Sequence, residues 1–172
     1  LMEELARLGY TPALTRKGGV TVDLGGEGNG ILLCAHVDTL GAVVCSIKEN
    51  GRLQLSPVGG LQPHNTEAEN CKICTRFDGV YTGTFQLENA SVHVNKEYGT
   101  LPRSFETMEV VLDEEVSSAE ETRRLGIEVG DFVCFDPRTV ITQSGYIKSR
   151  FLDDKLSAAI LLGYANLLKE EA

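Results

Sequence analysis

The sequence lacks long apolar runs and contains few basic residues. The first feature argues against a membrane-spanning protein, and the second argues against a nucleic-acid-binding protein. No hydrophobic stretch approaches the ~20 residues that a membrane-spanning helix requires. The 16 lysines and arginines are outnumbered by 25 aspartates and glutamates, which gives a net charge of −9 at pH 7. Such an acidic chain is poorly suited to the phosphate backbone of nucleic acids. We therefore expect a protein that binds neither membranes nor nucleic acids.

A secretory signal is also lacking at the start of the sequence, and the cysteines do not form an even set. Five cysteines in 172 residues are typical of a reducing compartment, so we expect a cytoplasmic protein. Cys71 and Cys74 form a Cys-x-x-Cys pair, but no second such pair exists. Residues at this spacing on a strand point to opposite faces, which does not favour a zinc or disulfide site.

The stretch ILLCAHVDTLG, from Ile31 to Gly41, carries the strongest positive signal. Its apolar first half predicts a short strand that is buried on both faces of an α/β sheet. His36 and Asp38 follow at the carboxyl end of that strand, which is where open α/β sheets bind ligands. The spacing also lets a carboxylate orient an imidazole that ligates a metal. A histidine that merely packs at a strand end is the alternative.

A second motif, RFLDDKLSAAILL, lies more than a hundred residues downstream. Strand-like residues from Tyr146 to Leu152 lead into Asp153 and Asp154. Apolar residues at helical spacing predict a helix that begins directly after the two aspartates. One aspartate would be an ordinary helix N-cap, whereas a pair after a buried strand favours a functional site.

Between the two motifs the sequence changes character. Short alternating segments separated by Gly, Asn, Asp and Pro predict a small β-rich barrel or sandwich from residue 43 to residue 143. A capping box in Ser117–Glu121 predicts one helix there, ended by Gly126. Strands are expected at Ser46–Lys48, Arg52–Leu55, Cys71–Arg76, Val80–Gln86, Ser91–Val94, Thr107–Leu112 and Asp131–Phe135. The remaining parts, residues 1–42 and 144–172, are predicted to form one α/β domain that this β-rich domain interrupts.

The paired motifs, AHVDTLGAVV and SRFLDDKLSAAILL, resemble those of the dinuclear metal-dependent aminopeptidases of the glutamyl and tetrahedral aminopeptidase group. Members of that group are sometimes labelled endoglucanase or cellulase M. The resemblance covers nearly the whole chain. It implies a three-layer α/β peptidase catalytic domain, incomplete here, with an inserted barrel-like domain for dimerisation or oligomerisation. It also implies a cis peptide bond between Asp153 and Asp154.

The resemblance further implies roles for individual residues. Two divalent ions, zinc or cobalt, would share a bridging carboxylate and a bridging water, polarise the scissile carbonyl and anchor the free amine of a peptide. His36 matches a ligand of one ion and Asp153 matches the bridging ligand. Asp38 matches the active-site residue behind His36, and Asp154 is the residue after the bridge.

The match ends before the general-base glutamate of the family and its remaining ligands. Glu170 and Glu171 close the helix that follows Asp154, and we interpret them as a solvated helix end. We therefore expect a metal-dependent aminopeptidase that removes N-terminal residues from peptides and forms homo-oligomers. This chain is expected to be truncated, inactive alone, and able to bind metal weakly or not at all. A non-catalytic oligomerisation module and a glycan hydrolase are the alternatives.

Overall fold

The computed structural model describes residues 1–170 and divides into two compact units. The first unit contains Leu1–Thr39 together with the chain from Phe151 onward. The second unit is continuous and contains Leu40–Arg150. The chain therefore leaves the first unit after Thr39 and returns to it at Phe151. No helix in the described part of the chain is long and apolar enough to span a membrane.

The described residues contain three α-helices and ten β-strands. The helices are α1 (Met2–Arg7), α2 (Ala119–Arg124) and α3 (Leu152–Glu170). The strands are β1 (Ala13–Leu14), β2 (Val20–Thr21), β3 (Gly41–Ile47), β4 (Leu53–Val58), β5 (Glu69–Cys74), β6 (Val80–Leu87), β7 (Met108–Leu112), β8 (Phe132–Phe135), β9 (Val140–Ile141) and β10 (Ile147–Lys148). A single 3-10 turn spans Pro63–Asn65.

The second unit is a closed six-stranded barrel in the order β3-β4-β7-β6-β5-β8, with every pair antiparallel. Alternate residues of each strand point inward, as the pleat requires, and they are apolar almost throughout. Phe85 lies at the centre, fully buried, with its ring 5.6 Å from Phe135 in an edge-on arrangement and 5.8 Å from Phe105. Closure removes the free strand edges that an open sheet of this size would expose.

Six of the seven strands predicted between the motifs are present, and the strand predicted at Ser91–Val94 is wrong. The N–H groups of Val94 and Asn95 instead donate to the carbonyl of Ser91, which makes a turn. The buried Asn95 side chain fixes this turn, since it donates to the Asn89 carbonyl at 2.7 Å and accepts from the Glu97 N–H. Local side-chain bonds of this kind compete with strand pairing.

The predicted helix with a capping box is confirmed as α2. The Ser118 hydroxyl, at the N-cap, accepts from the Glu121 N–H at 3.3 Å. The Glu121 carboxylate reaches back to the Ser117 N–H at 2.7 Å, which satisfies a second backbone donor. These bonds lower the pKa of Glu121 below its ordinary value. Gly126 follows the helix with a positive φ of 85°, the conformation that glycine tolerates best at a helix end.

The first unit joins α1 and the β1–β2 hairpin to α3. The Tyr10 hydroxyl donates to the carbonyl of the buried Ala165 at 2.8 Å, and Lys169 lies 4.3 Å above the Tyr10 ring. The helix predicted after the aspartate pair is present as α3. At its far end Glu170 accepts a hydrogen bond from Asn166, and Glu171 lies outside the described residues.

The buried strand predicted at residues 31–35 is absent from the described structure. Ile31 and Leu32 are exposed, and no strand pairs with this segment in residues 1–170. A strand exists only where a neighbour completes its ladder of hydrogen bonds, and apolar composition alone cannot supply one. The strand predicted from Tyr146 to Leu152 is likewise reduced to the exposed β10, which pairs with β9. The three-layer arrangement of this domain stays a prediction.

Replacing Phe85 with alanine should lower the free energy of unfolding of the chain by about 3–5 kcal/mol, because it removes a buried ring and leaves a cavity. Tyr146→Ala is the control, since it removes an aromatic ring from a side chain that is 75% exposed, and its effect should stay within about 0.5 kcal/mol. Urea denaturation followed by circular dichroism measures both. Equal losses in the two variants would contradict a core centred on Phe85.

Candidate metal centre

The two sequence motifs meet at His36, within the first unit. The Nε2 atom of His36 lies 3.2 Å from the Oδ1 atom of Asp153. The Nδ1 atom of the same ring lies 3.3 Å from the backbone oxygen of Asp38 and 3.3 Å from its Oδ1 atom. All three residues that the sequence predicts for the site are therefore in contact, although 117 positions separate His36 from Asp153.

Asp153 and Asp154 stand at the start of α3 but do not share its regular backbone. Their φ/ψ values are −83°/106° and −123°/24°, and the peptide bond between them is cis, as expected. Regular helical geometry begins only after these two residues. The Asp153 carboxylate is therefore presented by the turn that precedes the helix, with its side chain 96% exposed.

The geometry around the imidazole fits a metal ligand. A hydrogen bond from Nδ1–H to Asp38 would leave the lone pair on Nε2, which is the nitrogen that faces Asp153. Two ligand atoms on one tetrahedral zinc ion, each about 2.0–2.2 Å from the metal, lie roughly 3.3–3.6 Å apart. The 3.2 Å between His36 Nε2 and Asp153 Oδ1 is close to that separation.

His36 and Asp153 do not form a complete site by themselves. Zinc is almost always held by three or four protein ligands, and residues 1–170 contain no cluster of three or more His, Cys, Asp or Glu side chains that could hold a metal. The two other histidines, His64 and His93, are exposed residues of the second unit. Cys71 is buried, its thiol donates to the Gly83 carbonyl, and burial raises its pKa to about 12, which is unfavourable for metal binding.

The charges around His36 favour its protonated form in the absence of metal. Desolvation lowers the pKa of His36, but the hydrogen bond to Asp153 and the negative charge of Asp38 outweigh it, so the pKa is raised above its ordinary value of 6.5. Metal binding requires the neutral ring. Protons and metal ions therefore compete for the same nitrogen.

Two buried carboxylates in the second unit were missed by the sequence analysis. Glu69 on β5 and Glu109 on β7 are both 2% exposed, and each contacts two basic side chains. Glu69 occupies an inward position in the alternation of its strand, where an apolar residue is expected. For Glu69 that breach of the alternating pattern is the signal in the sequence. Glu109 lies between the buried Met108 and Val110 and breaks no such pattern.

Comparison with solved structures shows that the fold is shared with aminopeptidases. The fold superposes on an aminopeptidase from the archaeon Desulfurococcus kamchatkensis with a TM-score of 0.82 and 24% identity, covering 96% of this chain and 44% of that one. The TET1 peptidase of Pyrococcus horikoshii, which can assemble into a tetrahedron or a large octahedral shell, matches with a TM-score of 0.80 and 22% identity, over 99% of this chain and 49% of the other.

The family follows from the sequence itself. The M42 glutamyl aminopeptidase model matches residues 18–172, and the chain belongs to that family. The protein YhfE of Bacillus subtilis (strain 168), itself assigned as an aminopeptidase, is 48% identical over 157 residues, covering 90% of this chain and 45% of YhfE. The family resemblance stated from the two motifs is confirmed. The chain spans about half the length of the curated relatives it matches.

Replacing Asp153 with asparagine should lower the pKa of His36 in the metal-free protein, because the variant removes both the charge and the acceptor that favour the imidazolium. The ion pair between the protonated His36 ring and Asp153 is present below the raised pKa of His36, and it is lost as the pH rises through that pKa. NMR titration of the imidazole protons measures the change. Asp136→Asn, which alters a carboxylate of the second unit, is the control and should leave the His36 titration where it is. An unchanged midpoint in Asp153→Asn would contradict the contact.

Proposed function

We propose that this chain is part of a dinuclear metal-dependent aminopeptidase that removes N-terminal residues from peptides. The observation that carries the proposal is the contact of His36 Nε2 with Asp153 Oδ1 at 3.2 Å, which unites two distant motifs at a separation suited to a shared ion. Membership of the M42 family and relatives named as aminopeptidases support it.

In this proposal each residue of the chain has a distinct task. His36 offers Nε2 to one ion, and Asp38 holds the opposite ring nitrogen so that the correct tautomer faces the site. Asp153 has two carboxylate oxygens and would bridge two zinc or cobalt ions. Bound ions of this kind lower the pKa of water and polarise the scissile carbonyl.

The proposal places the remaining donors in the part of the enzyme that these 172 residues do not cover. The curated relatives are about twice as long as the matched region, and residues 1–170 hold no complete cluster of ligands. The exposed apolar segment around Ile31 and Leu32 is consistent with this view, because a neighbouring strand would both pair with it and cover it.

Full-length enzyme should bind about two zinc ions per chain, whereas the 172-residue chain alone should bind zinc weakly and show no activity, because too few ligands are present. In the full-length protein His36→Ala and Asp153→Asn should abolish most of the metal binding and the hydrolysis of an aminoacyl-nitroanilide. His93→Ala removes an exposed histidine of the second unit and should retain both. Calorimetry and a chromogenic assay measure these outcomes. Tight binding of two zinc ions by the 172-residue chain alone would contradict the proposal that it holds too few ligands.

The absence of a complete ligand cluster from residues 1–170 also favours a second candidate function. Taken alone, the chain would be an oligomerisation module whose barrel carries the contact surface. None of the cysteines in the described residues is in a disulfide, which supports the proposed cytoplasmic location for either function. The activity and metal measurements above separate the two candidates.

We further propose that the protein forms homo-oligomers through the second unit. Phe132 and Val80 both lie directly opposite Cys74, on the two strands that flank β5, so the three residues form a row across the barrel. Phe132 and Val80 are 58% and 59% exposed, and Phe77 in the adjoining β5–β6 turn is also exposed. A contiguous exposed apolar surface of this kind is typical of an interface.

A second copy of the chain is the proposed occupant of that row. The TET1 peptidase of similar fold assembles into closed shells, and the barrel is the more complete of the two units, since its strands have no free edge. Self-association would cover Phe132 and Val80 without any change in the barrel.

Val80→Glu should shift the protein to a smaller assembly, because a charge in the centre of an apolar contact opposes association. Val92→Glu is the matched control, since Val92 is similarly exposed at 62% but lies in the loop before β7. Light scattering coupled to size-exclusion chromatography gives the masses. A monomeric wild-type protein at high concentration, or equal masses for Val80→Glu and the wild type, would count against this interface.

A further inference from the structure

We infer that the barrel of the second unit opens locally between β4 and β7, at a junction that the side chains of Lys48, Arg52 and Glu109 hold closed. This junction is called the β4–β7 seam, and the three residues are called the Glu109 cluster. All of these elements belong to the second unit, and their role is independent of the proposed metal site. The seam gives a barrel with buried walls a defined place at which it can move.

The backbone ladder of the β4–β7 seam is the shortest in the barrel. Leu53 opposite Val110 is the only registered residue pair between the two strands within the described chain. In residues 1–170 the other five junctions have between two and six pairs each. The junction of β3 with β8, which has two, is extended by the Val44 N–H, which donates to the Asp131 carbonyl at 2.9 Å. Because local opening must break backbone hydrogen bonds, the seam has the least backbone pairing to resist it.

A cleft of about 340 Å³ lies where β4 and β7 diverge. Its lining includes Gly51 and Arg52, just before β4, and Val111 and Leu112, at the end of β7. If the antiparallel register continued beyond the single pair, Arg52 would lie opposite Val111 and Gly51 opposite Leu112. The cleft therefore occupies the place where the ladder would continue.

Side chains close the seam where the backbone does not. Alternation along β7 places Glu109 on the outer face of the barrel, yet its side chain is 2% exposed. Lys48 Nζ lies 2.8 Å from one oxygen of this carboxylate, and the Arg52 guanidinium donates to the other. Gln54 on β4 adds a neutral bridge, since its amide donates to the Phe105 carbonyl at 2.9 Å. The start of β4 is thereby tied to β7 and to the residues before it by side-chain bonds.

A junction held by side chains differs from one held by a ladder because a single substitution can release it. Neutralising Glu109 would leave Lys48 and Arg52 without the carboxylate that they share, and it would leave both strands in place. Bonds to charged groups contribute more than bonds between neutral groups. The charge of Glu109 should therefore set how often the seam opens.

Glu69 provides the comparison within the same barrel. It is also 2% exposed and also contacts two basic side chains, Arg138 and Arg150. Its strand, β5, is paired with β6 through six residue pairs and with β8 through four. The same kind of buried carboxylate is thus present on a strand that its ladders already hold. Loss of its charge should not loosen the β4–β7 seam.

Thiol labelling of the full-length protein tests where the barrel opens. Val110→Cys places a small apolar thiol at the seam, where the side chain is 0% exposed, and the native Cys71 on β5 is 3% exposed. Relative to the same thiols in urea, the introduced thiol should react with iodoacetamide at least about tenfold faster than Cys71, because local opening exposes only the former. Peptide mass spectrometry separates both from the exposed Cys34, Cys45 and Cys134. Equal rates for the two thiols overturn the inference.

Glu109→Gln in the Val110→Cys background tests the role of the Glu109 cluster. It should accelerate labelling at position 110 by at least about tenfold and labelling of Cys71 by less than about threefold, because it releases the seam alone. Glu69→Gln is the matched control and should change the ratio of the two rates by less than about twofold. An unchanged ratio in Glu109→Gln, or an equal increase in both variants, overturns the inference. If Glu109→Gln does not fold, Gln54→Ala, which removes the neutral bridge, takes its place with the same expected direction.

Discussion

The pairing of β3 with β8 is the constraint on which the rest of the structure depends. Ala42 lies opposite Val133 and Val43 opposite Phe132, so the first strand of the barrel is hydrogen-bonded to the last. Because the two strands are antiparallel, the start of β3 lies beside the end of β8. The chain therefore enters and leaves the barrel on neighbouring strands, which is the property that allows one domain to interrupt another. Gly41 stands at this junction, and a β-carbon there would lie only 3.1 Å from the Val133 carbonyl oxygen.

Two of the buried carboxylates in the second unit, those of Glu69 and Glu109, are neutralised where they lie. An isolated carboxylate in an apolar interior is strongly unfavourable. Glu109 is paired with Lys48 and Arg52, and Glu69 with Arg138 and Arg150. Lys48 also contacts Glu88, so that cluster continues toward the surface. Loss of one basic partner would leave part of the buried negative charge without compensation. Disrupting either cluster should therefore lower the free energy of unfolding more than disrupting an exposed ion pair does.

Sequence reasoning succeeded where the determining pattern is local. Alternation of apolar residues predicted the six strands of the barrel, and the serines before Glu121 predicted α2 with its cap. It failed where the outcome depends on a distant partner. Residues 31–35 have the composition of a buried strand but no neighbour in the described chain, and the turn at Ser91 is imposed by the side chain of Asn95.

The candidate site shows the same division. Two short motifs and the family that they resemble predicted His36, Asp38 and Asp153 as a site, and the structure brings the three residues together. Their roles toward a metal stay a prediction. The ion pairs of Glu69 with Arg138 and Arg150 could not be found in this way. These residues are far apart in the sequence, and folding of the second unit brings them together.

The contact between His36 and Asp153 cannot be what holds the site in shape. Their side chains are 52% and 96% exposed, and ion pairs in such surroundings are screened by water and salt and contribute little. The geometry must therefore be set by the backbone segments that present the two side chains. Asp153 and Asp154 directly precede the regular part of α3, and α3 is held within the first unit by the hydrogen bond from the Tyr10 hydroxyl to the carbonyl of the buried Ala165. Packing of this helix, rather than the exposed ion pair, therefore fixes the segment that presents the Asp153 carboxylate.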